Sequence, residues 1–162
     1  MNTWKRWLGW TAFGVAGLGG MNLIGLAIAA RRARRPANLG AADGRLAACP
    51  DTPNCAASQS GDAKQRMDPI PYSTSTAEAR RRLLEIIRSS PRTEIVAETP
   101  TYLGAVYRSK LFGFPDDVEF LFDEERRVID FRSASRVGGG DLGVNRARML
   151  AISRAFAAAE RD

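Results

Sequence analysis

Residues 7–30 form a run of 24 residues without a charged side chain, in which Thr11 and Asn22 are the clearest polar interruptions. As a helix rising about 1.5 Å per residue, the run would reach roughly 36 Å, more than the ~30 Å hydrocarbon core of a bilayer. Trp4, Trp7 and Trp10 cluster at its start, where indole rings favour the headgroup layer. Gly14, Gly17, Gly20 and Gly25 would weaken a soluble helix but are tolerated in membrane helices, where they permit close helix contact. The run therefore predicts one transmembrane helix, with residues 1–35 as an anchor with basic flanks. A buried soluble helix fits the length and flanking charges poorly. Two cleavable alternatives exist. Ala27-Ile28-Ala29 has the small-x-small form of a signal-peptidase site, but an Arg cluster follows it directly. Leu46-Ala47-Ala48-Cys49 resembles a bacterial lipoprotein box, but a polar, Arg-rich stretch separates it from the apolar run.

Charge follows the same division. The chain carries a net +6. Lys5, Arg6, Arg31, Arg32, Arg34 and Arg35 supply all of it, because residues 1–35 contain no acid and the remainder holds 18 basic and 18 acidic side chains. Nucleic-acid binding needs cations concentrated on one face to displace phosphate counterions. A balanced domain lacks that excess, so no nucleic-acid partner is expected. The cationic flanks instead suit anionic lipid headgroups, which makes membrane lipid the expected partner of the N-terminal helix.

The side of the membrane is contested by two features. Positive-inside counting narrowly favours Arg31, Arg32, Arg34 and Arg35 over Lys5, Arg6 and the α-amino group, which would leave the domain in the cytoplasm. The cysteines point the other way. Cys49 and Cys55 bracket Pro50-Asp51-Thr52-Pro53-Asn54, and a disulfide across so short a loop would persist in an oxidising compartment and contribute roughly 2–2.5 kcal/mol. Free thiols are the alternative. A zinc site would need further ligands that a chain without His and without another Cys must find among carboxylates or on a partner, and Cys-x-x-Cys redox spacing is absent. No metal and no cofactor are implied.

Residues 36–45 read as a linker, and residues 46–162 as one domain of a size that can bury a single core. Asp68-Pro69-Ile70-Pro71-Tyr72 enters as extended chain. Ser75 with Glu78 three residues on forms a capping box for a helix whose apolar stripe is Ala79, Leu83, Ile86 and Ile87 and which ends at Ser90-Pro91. Glu78 and Arg82 stand at i,i+4. Strands are predicted over 93–99, 102–111, a run through Val118, Phe120 and Phe122, and one through Ile129, Phe131 and Ser133, with the short links of an antiparallel meander. A last helix follows Gly138-Gly139-Gly140, with Asp141 as N-cap and Asn145, Met149, Ile152 and Phe156 on its inner stripe. Asn145 then needs a buried partner. The expected fold class is α+β: an antiparallel sheet of about four strands with two helices packed on one face, preceded by one transmembrane helix.

Three segments taken together have a familial likeness. They are Cys49-Pro50-Asp51-Thr52-Pro53-Asn54-Cys55; Arg108-Ser109-Lys110-Leu111-Phe112-Gly113-Phe114-Pro115-Asp116-Asp117-Val118-Glu119-Phe120; and Arg132-Ser133-Ala134-Ser135-Arg136-Val137-Gly138 continuing through Asp141-Leu142-Gly143-Val144-Asn145-Arg146. In this order they resemble the domain of unknown function 1499 family, from about residue 46 to the C-terminus. Thr52 stands where the family usually has Ser. The resemblance implies no activity. Because such domains often follow a membrane or export segment, it favours an extracytoplasmic domain.

Within these motifs, Asp116, Asp117 and Glu119 could bind a divalent cation or do acid–base work, against the alternative of a solvated turn whose acids pair with Arg108 or Arg132. Arg136 and the glycines ahead of the last helix could form an anion pocket, although Asp141 would itself occupy the helix-end donors. Asn145 and Arg146 complete the candidate ligand set. No Ser or Cys stands visibly beside a base. The expected function is a membrane-anchored, non-catalytic binding or assembly module with a membrane or envelope protein partner. The alternative is an enzyme, metal-assisted or not, using Asp116, Asp117 and Glu119 with Arg108, Arg132 and Arg136, which requires those side chains to converge on one pocket.

Overall fold

Alternation of apolar side chains along four long strands decides the architecture. In a strand successive side chains point to opposite faces, so Leu103, Ala105 and Tyr107, then Val118, Phe120 and Phe122, then Ile129 and Phe131 all reach one side. There they form a single buried core with Ala79, Leu83 and Ile87 and with Met149, Ile152 and Phe156. The computed structural model describes residues 33–161 together with Gly25 and Ile28. The predicted transmembrane helix lies almost wholly outside the described residues, and no described helix is long and apolar enough to cross a membrane.

The strands are β1 (Ala41–Ala42), β2 (Arg45–Leu46), β3 (Cys55–Ala57), β4 (Ile70–Pro71), β5 (Thr93–Glu98), β6 (Tyr102–Arg108), β7 (Pro115–Asp123) and β8 (Val128–Ser135), with helices α1 (Thr76–Ser89) and α2 (Val144–Ala159). The main sheet has six strands in the order β3-β8-β7-β6-β5, with β4 sharing the outer edge of β8. Every pairing between its named strands is antiparallel. The expected meander is therefore present as β5 to β8, but four strands was too few. The edge strands β3 and β4 have two or three residues each, too short for any periodicity to register.

Helix α1 starts as its sequence predicts. The Ser75 hydroxyl accepts the Glu78 N–H at 3.2 Å. The Glu78 carboxylate does not return to the cap; it pairs with Arg82 at 2.8 Å and Arg81 at 2.7 Å. Helix α2 begins two residues later than expected. Gly143, in the left-handed region, occupies the N-cap. Asp141 still serves the exposed donors, accepting from Gly143 N at 3.0 Å and from Asn145 N at 2.7 Å.

The largest departure lies in residues 36–45, read as a linker. This stretch runs along the face of the sheet opposite the helices and folds into the β1–β2 hairpin. Leu46 reaches a second, smaller apolar cluster with Tyr102 and Leu121. The backbone N–H of Gly40 donates to Glu119 at 2.7 Å, and that of Leu46 donates to the Gln59 side chain at 2.9 Å.

Candidate functional site

The three motifs meet at one end of the sheet, where β6 hands over to β7 and β8 to α2. The cysteine loop is closed by a Cys49–Cys55 disulfide. Its Asn54 is the joint between motifs: the side chain donates to Gly138 O at 2.7 Å and accepts the Thr52 hydroxyl at 2.8 Å. Thr keeps the hydroxyl that a Ser would supply here. The Asn54 carbonyl accepts from Ser135 N at 3.0 Å and from Asn145 Nδ2 at 2.9 Å.

Asn145, with no exposed surface, finds its buried partners on several elements. Its Oδ1 accepts from Ser133 at 2.6 Å and from Arg148 at 2.7 Å. Its Nδ2 lies within reach of Asn54 O, Ser135 Oγ and Asp141 Oδ2. Arg148 continues the chain of contacts, reaching Asp116 at 2.5 Å and lying 4.8 Å over the Tyr107 ring. A cleft of about 270 Å³ opens above this network, lined by Ser109, Phe114, Val137 and Leu142, with Asp116 and Ser135 at its base.

The other two carboxylates point away from this cleft. Asp116 and Asp117 are consecutive in β7 and therefore face opposite sides of the sheet. Asp117 receives both Nε and Nη2 of Arg136, at 2.8 and 2.6 Å, a two-pronged contact that holds the guanidinium charged and raises its pKa. Glu119 is 1% exposed and binds Arg132 at 3.1 Å, the Tyr102 hydroxyl at 2.8 Å and the Gly40 N–H. Burial, with the Glu119 carboxylate alongside, pushes the Tyr102 phenol up. Beside them Asp130 is held by Ser58 at 2.6 Å, Gln59 at 3.1 Å and Arg126 at 3.0 Å.

The residues singled out in the sequence thus separate into distinct places. Asp116 and Asn145 belong to the helix-side network. Asp117, Glu119, Arg132 and Arg136 belong to the opposite face. Arg108 is exposed, 3.8 Å from Glu94, and Arg146 ties down the 58–68 loop through Lys64 O and Arg66 O at 2.7 and 2.9 Å. The acids are not a solvated turn, because all three are buried within β7. Nor do they share one pocket. Arg136 offers no open anion site, since Asp117 fills its donors, and Asp141 occupies the α2 N-terminus. No described group of three His, Cys, Asp or Glu side chains is placed to hold a metal ion.

Sequence reasoning did not find Arg148, Tyr102, Asn54 or Asp130. Extending β7 back to Pro115 would have separated Asp116 from Asp117 by alternation alone. Nothing local marks Arg148, whose partner is distant in sequence.

A family model matches residues 45–156, the span that holds all three motifs, the whole of α1 and all but the last three residues of α2. The chain belongs to the family described as protein of unknown function DUF1499. In this DUF1499 domain the shared motifs coincide with the disulfide loop, the Asn54–Asn145 joint and the Asp116 end of the Asp116–Arg148 pair, contacts that lock one end of the sheet together. No curated protein matches the chain.

Proposed function

We propose that this DUF1499 protein is a membrane-anchored, non-catalytic binding or assembly module whose domain works at the extracytoplasmic membrane surface. The observation that carries the reading is the strap formed by residues 33–46. It leaves the apolar run and lies directly on the domain, with Ala33 O 3.4 Å from Arg136 and Gly40 N on Glu119. A strap packed on the domain in this way keeps the domain close to the segment that precedes it, as suits a module that presents a surface at a membrane. The disulfide supports an oxidising compartment. No observation favours the enzyme alternative, since Asp116, Asp117 and Glu119 are each committed to an arginine on one side of the sheet or the other.

Two measurements on native membranes test this. Carbonate-washed membranes should retain the protein, and Cys49 and Cys55 should resist alkylation under denaturing conditions until a reductant is added. Release into the wash, or free alkylation of both thiols, would refute the anchor or the compartment respectively. Capture in mild detergent should recover a reproducible membrane or envelope protein; repeated recovery of none counts against an assembly role.

A further inference from the structure

The cleft end of the sheet carries a surface that the domain's own stability does not explain. Leu111, at the tip of the β6–β7 loop, is 79% exposed, and Leu142, in the β8–α2 loop, is 104% exposed. Leu142 also sits at φ 53°, a left-handed conformation that a leucine rarely adopts and that glycine would occupy without strain. Three glycines stand just before it, yet the left-handed position is filled by a large apolar side chain held in water. Val144 is exposed beside it. Neither loop is loose. Gly113 N donates to Ser109 O and Ser109 N to Phe114 O, while Arg136 N donates to Pro115 O, so the strand ends from which the two loops leave are tied together.

The tether enters at the same end. Arg136 follows the last residue of β8, and its guanidinium meets Ala33 O. The strap then passes Glu119 at Gly40 and ends over Leu121 and Tyr102 with Leu46, so it runs away from the loop end towards the β7–β8 turn. Ala30, the last residue of the uncharged run, is three peptide links from Ala33 and so at most about 11 Å from it. The polar rim of this end is cationic: Arg34, Arg35, Arg92 and Lys110 are exposed, and the Arg92 carbonyl accepts the Arg108 N–H while the Arg92 guanidinium donates to Arg108 O. The exposed acids here are Glu94, paired with Arg108, and Asp51 in the cysteine loop.

We infer that the loop end of the domain is a second membrane contact, in which Leu111 and Leu142 enter the interface of the bilayer that holds the tether while the surrounding Arg and Lys side chains meet anionic headgroups. Apolar side chains ringed by cations are the composition that settles roughly 5–10 Å into the boundary between headgroups and acyl chains. The inference rests on the anchored reading above, and it fixes the cysteine loop and the 270 Å³ cleft close to the lipid surface.

The test uses the full chain with its disulfide intact, reconstituted in phosphatidylethanolamine–phosphatidylglycerol vesicles. Single nitroxide labels are placed at Leu111→Cys, Leu142→Cys, Gly17→Cys within the apolar run, and Glu124→Cys in the β7–β8 turn, roughly 30 Å from the loop end along the nine-residue β7. Relaxation by oxygen, which partitions into lipid, is compared with relaxation by a water-soluble nickel chelate. Labels at 17, 111 and 142 should favour oxygen, and the label at 124 should favour nickel. Oxygen access at 17 with nickel access at 111 and 142 overturns the second contact and leaves the anchor standing. Shielding of 111 and 142 from both reagents means that protein, a partner or a second copy, covers the loops, and also overturns it. Nickel access at 17 removes the anchored reading, and the inference falls with it.

Discussion

Asn145→Ala separates an architectural asparagine from a ligand-binding one. The substitution removes an acceptor shared by Ser133 and the half-buried Arg148 and a donor to Asn54 O, at a side chain that is itself without solvent access. Some partners recover. Arg148 keeps Asp116, Asn54 O keeps the Ser135 N–H, and Asp141 keeps two backbone donors. The Ser133 hydroxyl loses its acceptor and the joint between cysteine loop and α2 loses its centre. With each stranded buried group worth about 1–3 kcal/mol, a loss of about 3 kcal/mol is expected, a large share of the 5–15 kcal/mol typical of a domain. At a urea dependence of about 2 kcal/mol per molar, the midpoint should fall by roughly 1.5 M. All three tryptophans lie within the first ten residues, so indole fluorescence does not report on the domain. Tyr72, Tyr102 and Tyr107 are all buried in it, and near-ultraviolet circular dichroism of tyrosine is the suitable signal. The double variant with Ser133→Ala should lose less than the sum of the two single losses, because the partners are in contact. A midpoint shift under about 0.5 M, together with loss of partner capture, would refute the architectural role and return Asn145 to the ligand set.

Three further outcomes are expected. Glu119→Gln should destabilise by about 3–5 kcal/mol in urea titration because it leaves Arg132 as a buried, weakly compensated charge, and adding Arg132→Met should recover much of that loss; no recovery would mean that the strap contact at Gly40 matters more than the charge pair. Reduction of Cys49–Cys55 should lower stability by about 2 kcal/mol, read as a fall in melting temperature, and an unchanged melting temperature would make the bridge irrelevant to folding. The Glu160 carboxyl is raised by burial, but Ser73, Thr74 and Arg82 outweigh that and hold it below its ordinary value, as Arg81 and Arg82 hold Glu78 at about 2. A lowered folded pKa means that the unfolded chain takes up the proton first, so this stabilisation is complete above about pH 4.5 and is lost as the pH falls further. Glu160→Gln should therefore be less stable than wild type at neutral pH and show a flatter decline below pH ~5; parallel curves would remove Glu160 from the acid response.

What could be read in the sequence was what depends on neighbours along the chain. The alternation of Val118, Phe120 and Phe122 against Glu119 and Leu121 fixes which strand face is apolar. The spacing of Ala79, Leu83 and Ile87 fixes a helix stripe, and Ser75 with Glu78 marks its start. The cysteine spacing allowed the bridge that forms. Each of these is a property of backbone period or short-range geometry, which a linear pattern records directly.

The site was not legible in that way, because its contacts join distant segments. Asp116 meets Arg148, Asp117 meets Arg136, and Gly40 meets Glu119 across a separation of 79 residues. A carboxylate's partner is chosen by which side chains the packed sheet brings within about 3 Å, and many arginines were equally available in the sequence. The same holds for residues 36–45: their small, polar composition reads as a linker, and only the buried Glu119 awaiting a donor gives Gly40 a place to dock. The sequence by itself determined the apolar run, the strand and helix pattern and the family. Tertiary structure alone decided that the polar side of the sheet is buried beneath the strap of residues 33–46. Desolvating a charge is tolerable only where specific partners converge in three dimensions, and that convergence is invisible to any local pattern.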